Sequence, residues 1–106
     1  SDVREAPARK VIPILQEKGA KIRAYDPQAT EESKPLYQDV DWARSVLDAA
    51  KLADVLLLLI EWDEFKGLDF NKLKSVMKGH VFIDTRNQYE PEEVAKHGFK
   101  YIGIGR

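Results

Sequence analysis

The chain has 106 residues, the size of one domain, and its composition, 43% hydrophobic and 33% charged, can supply one core and a solvated surface. A net charge of -1 offers no basic excess for a phosphate backbone, so we expect no nucleic-acid partner. The chain has no cysteine for a disulfide or a catalytic thiol, no apolar run near the roughly 20 residues that span a bilayer and no signal-peptide pattern, so we expect a cytoplasmic protein without membrane contact.

Four short apolar segments predict β-strands. They are, in chain order, residues 21–25, 55–60, 80–84 and 99–104. The segment 55–60 is six consecutive aliphatic residues, which is typical of a strand covered on both faces in a parallel sheet. Asp26 and Pro27 close the first strand, and the polar stretch 28–39 follows, with a short edge strand expected near residues 37–40.

Helical periodicity separates the strands. It predicts helices over residues 8–18, 42–52, 70–78 and 91–97. Pro7 suits a first helical turn, whereas Pro13 lies inside the first helix and should bend it or open one hydrogen bond. Glycines at 19, 79 and 98 are expected to end three of these helices.

Helices and strands alternate with short connections, which favours right-handed parallel crossovers. The predicted fold class is α/β, a three-layer, Rossmann-like and mostly parallel sheet, within a single domain over residues 1–106. The chain opens on a helix, although doubly wound sheets usually begin with a central strand.

Ligands of open α/β sheets bind at the carboxyl ends of the strands, and Arg86 follows the third predicted strand. Its planar donor fork suits a phosphate or a carboxylate, while the alternative is a structural ion pair with Asp84 or Glu61. Arg4, just before the first predicted helix, could meet an anion at the helix N-terminus or be an ordinary solvated arginine.

Other chemically capable residues form weaker patterns. Glu61 and Asp63 could act as an acid–base pair, but carboxylates after a strand commonly cap the next helix. His80 and His97 lack a metal-ligand spacing, so no metal site is expected. The Gly-Ile-Gly at residues 103–105 has no third glycine and no following helix, so it does not indicate a dinucleotide site.

Five segments, taken together, resemble one family over almost the whole chain. They are residues 2–7 (Asp-Val-Arg-Glu-Ala-Pro), 24–27 (Ala-Tyr-Asp-Pro), 61–65 (Glu-Trp-Asp-Glu-Phe) with Leu68 and Asp69, 84–87 (Asp-Thr-Arg-Asn) and 98–106. In order and spacing the chain is similar to the C-terminal, UDP-binding domain of the UDP-glucose 6-dehydrogenases, in the UDP-glucose/GDP-mannose dehydrogenase family. The Glu-Trp pair favours this enzyme over relatives that act on UDP-N-acetylmannosamine or GDP-mannose.

The resemblance implies an NAD-dependent oxidation of UDP-glucose to UDP-glucuronate. It implies that Arg86 contacts the UDP-sugar and that Arg4 reaches NAD bound mainly by another domain. The family's catalytic cysteine belongs to segments absent here, so we expect no catalytic residue in this chain and no activity from it alone. The expected partners are UDP-glucose, NAD, the rest of the parent dehydrogenase and further copies in a homo-oligomer.

Three other interpretations stay open. The chain could belong to a dehydrogenase for another nucleotide sugar, form a stand-alone nucleotide-binding or regulatory module, or be a purely structural α/β module whose arginines lie in ion pairs.

The strand that is central in the family would precede residue 2 and is absent from this chain. Strands 21–25 and 55–60 would flank its position, leaving two hydrophobic edges with unpaired backbone groups. These strands could pair directly, or a second copy or a separate segment could fill the position. We favour association or a separate segment, because direct closure would change the helix spacing on both faces of the sheet.

Overall fold

The computed structural model describes residues 2–60 and 67–104, without the side chains of residues 2–7. The chain divides into two compact units, Ser1–Ala49 and Ala50–Arg106. The first unit holds α1 (Asp2–Glu17), β1 (Ile22–Ala24), a 3-10 turn (Lys34–Leu36), β2 (Val40–Trp42) and most of α2 (Val46–Ala50). The second unit holds β3 (Val55–Leu58), α3 (Phe70–Val76), β4 (Val81–Asp84), α4 (Pro91–Ala95) and β5 (Lys100–Gly103).

The strands form two parallel sheets, of two and three strands, which is consistent with the predicted Rossmann-like class. β1 pairs with β2, and β3, β4 and β5 follow one another in the second sheet. The α/β class and the parallel pairing are thus confirmed. Among the described strands, β1 and β3 do not pair with each other, so the direct closure that we considered unfavourable is not observed. Association or a separate segment at these edges stays a prediction.

Helix α1 begins six residues earlier than predicted. It runs over Asp2–Glu17, so Pro7 lies inside the helix and Arg4 belongs to it instead of preceding it. Each proline removes one N–H from the helical ladder. The helix nevertheless continues through both.

The predicted glycine end of α1 is confirmed. Gly19 has a φ of 95°, which a residue with a Cβ rarely adopts. Its N–H donates to the carbonyl of Gln16 (3.0 Å), and the N–H of Ala20 donates to the carbonyl of Leu15 (3.0 Å). These two bonds form a Schellman motif that satisfies the last carbonyls of the helix.

The predicted helix over 42–52 is wrong at its start. Trp42 ends strand β2, which replaces the edge strand expected near 37–40, and α2 begins only at Val46. β-Branched and aromatic residues favour a strand over a helix at this point. Ser45 and Asp48 supply the start of the helix, since Ser45 Oγ accepts from the N–H of Asp48 (3.0 Å) and an Asp48 oxygen accepts from the N–H of Arg44 (3.0 Å).

The N-terminus of helix α3 has a side-chain cap, whereas its C-terminus lacks the glycine cap that was predicted. Asp69 caps its N-terminus by accepting from the N–H of Lys72 (3.1 Å), as a strand-following aspartate commonly does. At the other end, Met77 is extended, and Gly79 is not a left-handed cap as predicted. Gly79 is required because a Cβ there would collide with the backbone of Asp54.

The core of the second unit is aromatic and lies on one face of its sheet. Phe82 in β4 is 1% exposed and packs its ring against Phe70 of α3 and Phe99 (centroids 5.9 and 6.1 Å). Leu73 of α3 and Val94 of α4 are also buried. Strand β3 is less covered than predicted, since Val55 is 45% exposed and its other three residues are only half-buried.

Candidate functional site

The candidate site is the loop that leaves β4 at the carboxyl edge of the three-stranded sheet. Asp84, the last residue of β4, is fully buried. One carboxylate oxygen accepts from the N–H of Arg86 (3.0 Å), and the other accepts from the N–H of Tyr89 (3.0 Å) and the hydroxyl of Tyr101 (2.8 Å). Three donors on a buried carboxylate offset the cost of removing it from water, so Asp84 shapes this loop and does not face a ligand.

The next residue ties the loop to β3. Both the N–H and the hydroxyl of Thr85 donate to the carbonyl oxygen of Leu58, at 3.1 and 2.7 Å. Leu58 is the last residue of β3. The chain leaving β4 is therefore fixed to the end of one neighbouring strand.

Asn87 ties the same loop to the other neighbouring strand. Its side-chain amide donates to the carbonyl of Ile104 (2.7 Å) and accepts from the N–H of that residue (2.9 Å). The φ of Asn87 is 52°, in the left-handed region that asparagine tolerates better than most residues. Ile104 comes directly after β5, so both neighbours of β4 hold this loop.

Arg86 stands between these two anchors and is exposed. Its backbone N–H is bound to Asp84, but its guanidinium forms no ion pair with a described residue. The predicted alternative of an ion pair with Asp84 is thus not formed, because that carboxylate is committed to other donors. The other alternative partner, Glu61, lies outside the described residues.

Beneath the loop, Tyr89 and Tyr101 close the aromatic core. The ring of Tyr89 meets that of Phe70 edge-on (5.1 Å), and Tyr101 meets Phe82 in the same way (5.8 Å). Burial, followed by the nearby Asp84 and Tyr101, raises the pKa of the Tyr89 hydroxyl well above its usual value. Tyr89 is itself buried and belongs to the packing of the loop.

Three carboxylates and one arginine were also singled out from sequence. Arg4 lies in α1, and its side chain is outside the part of the chain that the structure describes. Glu61 and Asp63 also fall outside it. Asp26, after β1 in the other sheet, accepts from the N–H of Gln28 (2.8 Å) in a local turn.

One of the two histidines contacts helix α3. His97 Nδ1 lies 2.8 Å from Asn71 Oδ1, and its ring stacks on Phe70. No cluster of three potential metal ligands occurs among the residues described. Within the same residues, no helix has the length and apolar character needed to cross a membrane.

Sequence reasoning placed Arg86 correctly at a strand end but missed how its neighbours hold it. Thr85 and Asn87 belong to the segment 84–87 that the sequence analysis had singled out. Aspartate and asparagine, which begin and end this segment, are typical of turns stabilised by side chains. Their partners, Leu58 and Ile104, are 27 and 17 positions away. No local pattern points to a partner at that distance.

Parallel strands joined by helices, with polar residues after β4, define a Rossmann-like α/β chain of the nucleotide-binding type. Comparison with known families identifies it further. The family model of the UDP-glucose/GDP-mannose dehydrogenase family, UDP binding domain, matches residues 1–91, so the chain belongs to this family as its UDP-binding domain. Arg4 and Arg86 both lie within the matched residues.

Curated relatives agree with this family. The UDP-glucose 6-dehydrogenase of Rhizobium meliloti (strain 1021) is 47% identical over 105 residues, covering 99% of this chain and 24% of the relative. The UDP-glucose 6-dehydrogenase TuaD of Bacillus subtilis (strain 168) is 39% identical over 107 residues, covering 100% of this chain and 23% of its own. The chain therefore spans about a quarter of the length of these relatives.

A solved structure supports the same fold. The NDP-N-acetyl-D-galactosaminuronic acid dehydrogenase of Methanosarcina mazei Go1 superimposes with a TM-score of 0.79 at 28% identity. The match covers 94% of this chain and 20% of that one.

Proposed function

We propose that residues 1–106 form the single UDP-binding domain of a UDP-glucose 6-dehydrogenase and that Arg86 holds the UDP-sugar. The observation that carries this assignment is the exposed guanidinium of Arg86 between two anchored residues at the carboxyl edge of a parallel sheet. A guanidinium without an ion-pair partner among the described residues is ready to accept an anionic ligand. Its planar donors match the oxygens of a diphosphate.

The chemical role of Arg86 is electrostatic. The diphosphate of a nucleotide sugar carries negative charge, and a fixed cation at the strand ends would orient it while the sugar extends toward groups outside this chain. Because the loop is held on both sides before binding, little conformational freedom is lost when the ligand arrives.

NAD is the cofactor in this proposal, and the residues of this chain do not form its cradle. The sequence contains no Gly-x-Gly-x-x-Gly segment, so the usual glycine-rich turn for a pyrophosphate is not available here. We assign to this chain one contact with NAD, from Arg4, and assign the hydride transfer to parts of the enzyme beyond it. Cytoplasmic location and homo-oligomeric assembly belong to the same proposal.

The names of the relatives at 47% and 39% identity favour UDP-glucose as the substrate. The solved relative from Methanosarcina mazei, at 28% identity, favours a second candidate, a dehydrogenase for an N-acetylated nucleotide sugar. Both candidates use the same anion contact and differ in the sugar.

The test is to purify the full gene product that carries this chain and to mix it with NAD and either UDP-glucose or a UDP-N-acetylhexosamine. The growth of NADH absorbance with UDP-glucose alone supports the proposal. Growth only with the N-acetylated sugar establishes the second candidate, and no growth with either sugar rejects both.

A further inference from the structure

We propose that Asn87 is a positioning residue that sets the affinity for the nucleotide sugar by fixing the backbone on which Arg86 stands; this inference rests on the proposed function of Arg86. The side-chain amide of Asn87 pairs with both backbone groups of Ile104, at 2.7 and 2.9 Å. It therefore imitates one further residue of a β-ladder.

The position of this pair explains its effect. The ladder between β4 and β5 ends at the partners Asp84 and Gly103. The loop then turns away from β5 through Thr85 and Arg86, and the left-handed φ of Asn87, 52°, brings a side chain back to the residue after Gly103. Asn87 thus closes the loop three residues past the last ladder pair.

Loss of the Asn87 contact would affect Arg86, because Arg86 is the exposed residue between two residues that are bound to neighbouring strands. Thr85 is attached to β3 and Asn87 to β5. Without the second attachment the loop is held on one side only, and the guanidinium samples more positions. A ligand must then select among them, which weakens binding.

The same pair contributes little to folding. Both of its hydrogen bonds are exposed to solvent, so water replaces them when the amide is removed. Its effect should therefore be visible in ligand affinity and small in thermal stability, which separates positioning from a structural role.

The variants are made in the full-length dehydrogenase that carries this chain, and KM for UDP-glucose, kcat and the unfolding midpoint are measured. Asn87→Gly removes the amide and keeps a residue that adopts positive φ freely. We expect it to raise KM roughly three- to tenfold while kcat changes less than about twofold. Asn87→Asp keeps the size and the acceptor, loses the donor and adds a negative charge next to the proposed diphosphate site, so it should raise KM for both reasons.

Two further variants complete the experiment. In an Arg86→Ala background, Asn87→Gly should produce no further rise in KM, because the residue it positions is absent. Gln16→Ala serves as the matched control and should leave KM unchanged. It removes exposed hydrogen bonds from a side-chain amide to the carbonyls of Gln38 and Asp39, all within the first unit, which does not contain Arg86.

The outcomes separate this inference from the function on which it rests. An unchanged KM in Asn87→Gly and Asn87→Asp, with a raised KM in Arg86→Ala, overturns the positioning role and keeps the role of Arg86. Equal rises for Asn87→Gly in both backgrounds also overturn it. An unchanged KM in Arg86→Ala rejects the assignment of Arg86 itself.

Discussion

The hydroxyl of Thr85 and the carbonyl oxygen of Leu58 lie 2.7 Å apart, and the backbone N–H of Thr85 reaches the same oxygen at 3.1 Å. One carbonyl at the end of β3 thus takes both donors of the residue that follows β4. The register supports this contact, since Leu58 already faces Asp84 in the ladder. The side chain continues a strand pairing that the backbone begins.

Thr85→Val should test this contact with little change in shape. It removes the hydroxyl donor and leaves the backbone bond, so we expect the free energy of unfolding to fall by about 0.5–1.5 kcal/mol. Urea unfolding measures the difference. Thr85→Ser keeps the hydroxyl and should lose less; a serine variant as unstable as the valine one would speak against the hydrogen bond.

Asp84→Asn should be more costly than the loss of any single donor to Asp84. The asparagine amide has the same size, but its NH2 group would face a backbone N–H whose hydrogen bond the carboxylate now accepts. This conflict would lie in a fully buried position. We expect a loss of about 1–3 kcal/mol, against about 1 kcal/mol for Tyr101→Phe, which leaves two donors in place. If both variants unfold at the same urea concentration as the parent chain, the carboxylate does not organise the loop.

Three glycines allow backbone strain and steric contact to be separated. With respect to the described residues, a new Cβ would meet open space at Gly67 and at Gly19, but Gly19 has a φ of 95° whereas the φ of Gly67 is ordinary. Gly98 combines a φ of 93° with the side chain of Lys74 at the position of a new Cβ. Replacement by alanine should be nearly neutral at Gly67 and cost about 1–2 kcal/mol at Gly19. It should cost at least as much at Gly98. Thermal unfolding of the three variants gives the order, and a Gly67 variant as unstable as the others would refute this account.

The raised pKa of Tyr89 makes stability fall at alkaline pH. The folded chain keeps the proton where the unfolded chain, with a tyrosine pKa near 10, has lost it. This contribution is fully present below about pH 10 and declines as the pH rises above that value. Unfolding midpoints measured from pH 8 to 11 should decline less steeply in Tyr89→Phe, which has no proton to lose. Parallel slopes for the two proteins would contradict the burial of this hydroxyl.

Arg86→Ala in the full-length enzyme should lower kcat/KM for UDP-glucose about ten- to a hundredfold, the effect of losing one charge-assisted contact of ~1.5–3 kcal/mol. Arg86→Lys keeps the charge but not the planar fork, so it should recover only part of the loss. Initial rates over a range of UDP-glucose concentrations provide both constants. An alanine variant with an unchanged kcat/KM would remove Arg86 from the binding site.

The sequence alone determined the class of fold and the location of the candidate site. Short aliphatic runs, helical periodicity and the cap at Gly19 are encoded within about ten residues, so they can be recognised without knowing what lies nearby. The segment from Asp84 to Asn87 could likewise be assigned to the end of a strand. Its resemblance to a known family then indicated which of its residues to test.

Only the tertiary structure decided how these pieces pair. The strands divide into two sheets, Trp42 joins a strand instead of a helix, and α1 extends back past Pro7 to Asp2. These results depend on which segments of the chain pack against one another. Tertiary packing can override the intrinsic preference of a short segment for helix or strand, so that segment alone does not predict the outcome. For the same reason, the sequence near Asn87 does not predict its contact with Ile104. The two residues meet because β4 and β5 lie side by side, and that pairing is a property of the sheet.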